Sequence, residues 1–104
     1  MIRKRLRAVQ GLVARFDYIA RVRPGAAERF VDTVEATLKR LEAMPRLGRP
    51  WARRGTPLGD VRVRSVAGFQ NYLLYYRPIH GGIEWVAIRH AAQDEPDDVG
   101  DDPA

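Results

Sequence analysis

Apolar residues recur at steps of three and four from the start of the chain. Leu6, Val9, Val13, Phe16 and Ala20 form one stripe, Leu12 and Ile19 widen it, and arginines lie between. That spacing predicts an amphipathic helix over about residues 4–22. Arg23-Pro24-Gly25 interrupts it, and Pro24 suits the first turn of a following helix because its missing N–H is not needed there. A second helix is expected from Gly25 to Ala43, with Ala27, Phe30, Val31, Val34, Leu38 and Leu41 on its apolar face and Pro45 ending it. The short break between them favours an antiparallel helical hairpin packed along the two stripes.

From Pro45 to Asp60 the sequence PRLGRPWARRGTPLGD has three Pro, three Gly and four Arg and no apolar period. It reads as an exposed loop, pinned by Trp51. The period then changes to two: Val61–Val66, Asn71–Arg77 and Ile83–His90 read as strands, joined at Ala67-Gly68 and Gly81-Gly82. Short connections make them an antiparallel meander. Val61, Val63 and Ser65 fall on one face of the first strand and Arg62, Arg64 and Val66 on the other. The predicted fold is α+β, an N-terminal helical hairpin on a small antiparallel sheet, with one sheet face under the helices and the other open to a ligand.

At 104 residues the chain is long enough for one core, so residues 1–93 are expected to form a single domain. Residues 94–104, which are acidic and contain proline, are expected to form a solvated tail. The absence of Cys excludes disulfides, thiolate metal sites and a cysteine nucleophile, and two His do not make a typical zinc site. No metal and no cofactor are expected. No apolar run approaches the roughly 18 residues of a membrane span, and the start lacks the apolar core of a signal peptide. A cytoplasmic protein with no membrane partner is expected.

Charge is unevenly distributed. Residues 1–93 carry 18 basic residues against 7 acidic ones, a net of +11, while the last eleven carry −6. Sixteen of the bases are Arg, the side chain suited to bidentate contact with carboxylate or phosphate. An acidic or polyanionic partner follows from the basic body. Arg46, Arg49, Arg53 and Arg54 make the densest basic loop, suited to gripping nucleic acid or an acidic protein. Arg62 and Arg64 alternate with valines, and Arg77, Arg89 and His90 close the next two strands. If these groups converge on the open sheet face they make a phosphate-binding surface on which His90 moves a proton; a solvated face of surface arginines gives the same pattern. Tyr72, Tyr75 and Tyr76 read mainly as core, and the furrow between hairpin and sheet suits a partner helix or an added strand.

Three stretches carry a resemblance: DYIARVRPGAAERFVDTVEATLKRLEAMPRLGRP, then VRVRSVAGFQNYLLYYRP, then GGIEWVAIRHAAQD. In order and spacing they resemble the plasmid-stabilisation family of ParE toxins within the RelE/ParE superfamily, over about Ala8 to Asp94. The resemblance implies a small α+β toxin of a type II toxin–antitoxin module, neutralised by a cognate antitoxin that folds across it. ParE-like members are associated with inhibition of DNA gyrase, and RelE-like members with cleavage of messenger RNA in the ribosome. On matching positions Arg62 opens the second strand of the pattern, and Arg89 and His90 end the last.

Two departures bear on function. Relatives usually have a strand before the first helix, and here Met1-Ile2-Arg3 alone precede it, so the first strand is expected to be short, within Met1–Arg7, or missing, leaving an open sheet edge. Gln93 stands where relatives often have Arg, and no Lys, Arg, His or Tyr follows His90. The RelE-like set of lysines and a C-terminal tyrosine thus has no clear match. The leading expectation is a non-nucleolytic gyrase inhibitor whose target or antitoxin is held by Arg46, Arg49, Arg53, Arg54, Arg62, Arg64 and Arg89. The alternatives are a ribosome-dependent ribonuclease using Arg62, Arg89 and His90, and an inactive remnant that binds antitoxin only.

Overall fold

A computed structural model describes residues 1–51 and 59–92; the expectations for Arg53, Arg54 and the acidic tail lie outside the described residues. The chain runs β1 (Ile2–Lys4), α1 (Leu6–Val22), α2 (Ala26–Ala43), β2 (Arg49–Pro50), β3 (Arg62–Val66), β4 (Phe69–Ile79) and β5 (Gly82–His90). The sheet order is β1-β5-β4-β3-β2. The class is α+β as expected, and the first strand is present as a short one within Met1–Arg7, one of the expected outcomes; the sheet differs in being mixed, because β1 lies parallel to β5 while the other pairs are antiparallel. Ile2 stands opposite Ile83 and Lys4 opposite Trp85. The Ile83 amide donates to the Met1 carbonyl at 3.0 Å and the Arg5 amide to that of Trp85 at 3.1 Å. Three residues suffice for a strand here because β5 supplies the partners; no period is legible in so short a stretch.

The second helix follows its sequence pattern closely. Gly25 takes a positive φ of 89°, which a side chain disfavours, and turns the chain into α2. Ala27, Phe30, Val34, Leu38 and Leu41 are buried as expected, together with Ala26. The first helix is rotated from its expected orientation. Ala8 and Ile19 are its buried residues and Leu12, Phe16 and Ala20 pack beside them, whereas Leu6, Val9 and Val13 are exposed. Apolar residues cover two adjoining stripes of this helix, so periodicity does not choose between them. Gly11 sits where a Cβ would lie 2.8 Å from Ile88 Cγ2, which brings the helix onto β5 on the Ala8/Ile19 side.

Between helices and sheet lies the main core, built on Phe30, Leu38, Leu41, Leu74, Tyr76, Ile83, Trp85 and Ile88. Phe30 meets Phe69 and Tyr72 edge-on at 5.1 and 4.9 Å. A second cluster occupies the other sheet face: Val61, Val63, Tyr75, Val86 and Ala87, with Trp51 and Leu73 against them. That face was expected to be open, and instead it carries buried apolar side chains. An irregularity in pairing at Tyr75/Tyr76 brings both Val86 and Ala87 into this cluster. Trp51 is itself fixed against the sheet: its amide donates to the Val61 carbonyl at 2.9 Å and its ring lies edge-on to Tyr75 at 5.7 Å.

Candidate functional site

The segment following α2 is more ordered than its composition suggests. Tyr76, fully buried, projects its hydroxyl under this segment, donating to the Pro45 carbonyl at 2.7 Å and accepting from the Gly48 amide at 2.8 Å. Burial pushes the Tyr76 phenol up, and the Gly48 hydrogen bond and the charges of Arg62 and Arg64 offset only part of that rise. Gly48 leaves room for this contact: an added Cβ would lie 2.6 Å from the Tyr76 hydroxyl. Arg62 ties the segment from the other side. Its Nη1 donates to the carbonyls of Gly48 at 2.9 Å and Arg46 at 3.3 Å, and its Nε to Asp60 at 3.3 Å. Arg49 and Pro50 are thereby held as a two-residue edge strand opposite Val63 and Arg62, where an exposed loop without a strand was expected.

The result is an open cleft of about 410 Å³ lined by Arg46, Arg49, Arg62 and Arg64, together with Leu47, Pro50 and Val63. Arg46, Arg49 and Arg64 are exposed. Among the described residues, no hydrogen bond or ion pair engages their guanidinium groups. Four of the seven arginines named as binding residues thus share one cleft. Arg62 is the least exposed of them, its side chain 12% accessible; besides lining the cleft it holds the cleft wall in place. Guanidinium groups arranged in this way can recognise anions.

Arg89 and His90 lie elsewhere. Arg62 stands opposite Tyr76, on the helix side of the sheet, whereas Arg89 stands opposite Leu73, on the other side. Arg89 is level with Ser65 across β4, so two strand spacings of about 4.8 Å and three residue steps of about 3.4 Å separate it from Arg62. His90 is back on the helix side, edge-on to Tyr72 at 4.9 Å, with its Nδ1 accepting the Ala92 amide at 3.2 Å. It lines a different cleft, of about 300 Å³, with Tyr18, Arg23 and Asn71. The cations named on the strands therefore do not converge on one face, and Arg62, Arg89 and His90 are not brought together. The reason is the two-residue repeat of a strand, which sends neighbouring side chains to opposite faces.

Sequence reasoning passed over Glu84. This carboxylate is buried beside Arg77, at 2.7 Å, and Arg5, at 3.4 Å. Burial alone raises its pKa; the Arg77 hydrogen bond and the charges of Arg5 and Arg77 outweigh that and hold the carboxyl below its ordinary range. The available signal was a lone acid alternating with apolar residues in Ile83-Glu84-Trp85, which calls for a cationic partner inside.

A comparison with curated proteins gives no match. A family model described as the ParE toxin of the type II toxin–antitoxin system, parDE, matches residues 2–95. That span takes in both helices and every strand of the sheet. The chain therefore belongs to the ParE toxin family of type II toxin–antitoxin systems, and an antitoxin is its implied partner.

Proposed function

We propose that this ParE-family toxin inhibits DNA gyrase without cutting RNA, and that an acidic cognate antitoxin, folding as it binds, keeps it inactive in the cytoplasm. Membership of the ParE family, whose members are associated with gyrase inhibition, supports the target, and the separation of Arg62, Arg89 and His90 carries the reading that RNA is not cut. General acid–base cleavage of RNA needs its cationic and proton-moving groups within hydrogen-bond reach of one phosphate. Here they are divided between two sheet faces. The net +11 of residues 1–93 supports an acidic antitoxin. The pairing of β1 with β5 supports an intact toxin over a remnant, since the short first strand still completes the sheet.

Purified chain added to gyrase is expected to block supercoiling of relaxed plasmid, and induced expression to raise DNA-damage signalling. Unaffected gyrase overturns the proposal. Cleaved transcripts in a translating extract, lost in Arg89→Ala, move the function to the ribonuclease reading.

A further inference from the structure

We propose that the arginine cleft between the 45–50 segment and β3 is the seat of an extended acidic peptide segment, recognised through alternate carboxylates. The inference rests on the reading of an acidic antitoxin as partner and assigns that partner a place on this chain. Three exposed guanidinium groups, on Arg46, Arg49 and Arg64, face one cleft with no carboxylate engaging them among the described residues. Like charges gathered this closely repel one another, and a ligand bringing several anionic groups relieves that repulsion as it binds.

The lining distinguishes a peptide from a nucleic acid. Single-stranded nucleic acid is held by a basic groove together with aromatic rings on which bases stack; among the described residues no aromatic side chain lines this cleft, and its uncharged walls are Leu47, Gly48, Pro50, Val63 and Ser65. Those walls suit the aliphatic parts of a peptide. The arginine spacing also matches. Arg62 and Arg64 lie two residues apart on β3, about 7 Å, which is the interval at which side chains on one face of an extended peptide repeat. A peptide with an acid at every second position, laid along β3, keeps step with the arginines. Arg62, held by the Gly48 and Arg46 carbonyls, is a positioning residue for this seat as much as a contact.

The test uses the full chain and two fluorescent probes of equal charge, an alternating (Glu-Ala)5 peptide and a single-stranded thymidine hexanucleotide, at an ionic strength of about 0.1 M, where charges more than about 10 Å apart are screened. The peptide is expected to bind more tightly than the oligonucleotide. Joint substitution of Arg46→Ala, Arg49→Ala and Arg64→Ala is expected to weaken the peptide tenfold or more. The same charge loss at Arg3, Arg21 and Arg23, all exposed and outside the cleft, is expected to weaken it less than threefold. Equal weakening by the two triple variants overturns the proposal, because the peptide then follows net charge alone. Tighter binding of the oligonucleotide, lost with the cleft arginines, overturns it in favour of a nucleic-acid seat. Gyrase supercoiling by the unsubstituted chain reads the functional proposal separately: peptide binding without gyrase inhibition removes the target and leaves the cleft. Gyrase inhibition with both triple variants binding alike removes the cleft and leaves the target.

Discussion

Around Glu84 two arginines close on one buried carboxylate, whereas along the 45–50 segment four arginines ring a cleft in which, among the described residues, Asp60 alone answers them. The first arrangement joins Arg5, at the start of α1, to Arg77 on β4 through an acid on β5. It is a fastening of the fold. The second leaves three guanidinium groups in water, where they contribute little to stability and are available to a partner. A basic composition does not distinguish these uses; the position of seven acids among eighteen bases in residues 1–93 does.

Removing the fastening is expected to have the largest effect. Glu84→Gln takes the charge from between Arg5 and Arg77 and is expected to cost about 3 kcal/mol of stability, in the range for breaking a buried ion pair, measurable by urea denaturation at neutral pH. The pH dependence has a definite sign. Because the native carboxyl is held low, its contribution is fully present above the unfolded value of about 4.3 and is lost as pH falls through the native value. The unsubstituted chain should therefore lose stability more steeply than Glu84→Gln in that acid window. Equal slopes would show that the Glu84 carboxylate carries no net stabilisation.

Tyr76→Phe comes next in size. It leaves the Gly48 amide and Pro45 carbonyl without their buried partner, for an expected loss of about 2 kcal/mol, and loosens the cleft wall. Thermal unfolding should register the first effect and weaker (Glu-Ala)5 binding the second. Arg62→Lys keeps the charge and gives up the forked bonds to Gly48 and Arg46. The expected cost is about 1 kcal/mol, with loss of peptide affinity despite unchanged net charge; preserved affinity would mean that Arg62 acts as a charge only. Smallest in stability is Arg64→Ala, expected within about 0.5 kcal/mol of the unsubstituted chain, while peptide affinity falls. This last variant sharpens the contrast most, because it separates binding from folding.

Legibility along the chain followed the length and redundancy of the signal. In α2, six apolar positions agree on one face and Gly25 marks the start, and the helix lies within a residue of its expected bounds. In α1 two apolar stripes adjoin, and the choice between them came from the approach of Gly11 to Ile88 and left Leu6, Val9 and Val13 outside. For β1, three residues are too few to carry a period, and the strand exists because β5 offers an edge eighty residues away in sequence. The candidate site divides in the same way. Arg46 and Arg49 were visible within the densest basic loop, and Arg62 and Arg64 as cations alternating with valines; that these four line one cleft was not. The separation of Arg62 from Arg89 and His90 was not drawn from the sequence, because it depends on strand register and on which face each residue takes.

The amino-acid sequence by itself determined the α+β class, the helical hairpin, the three long strands, the family and the basic character of the body, since each rests on local periodicity, on order along the chain or on a sum of charges. Tertiary structure alone decided the parallel edge strand, the second apolar cluster under Trp51, the pairing of Glu84 with Arg5 and Arg77, and the division of the arginines into those that hold the fold and those left facing a cleft. Each of these depends on which distant groups meet. Such meetings are settled by the competition among faces and edges for burial, which one segment read alone does not contain.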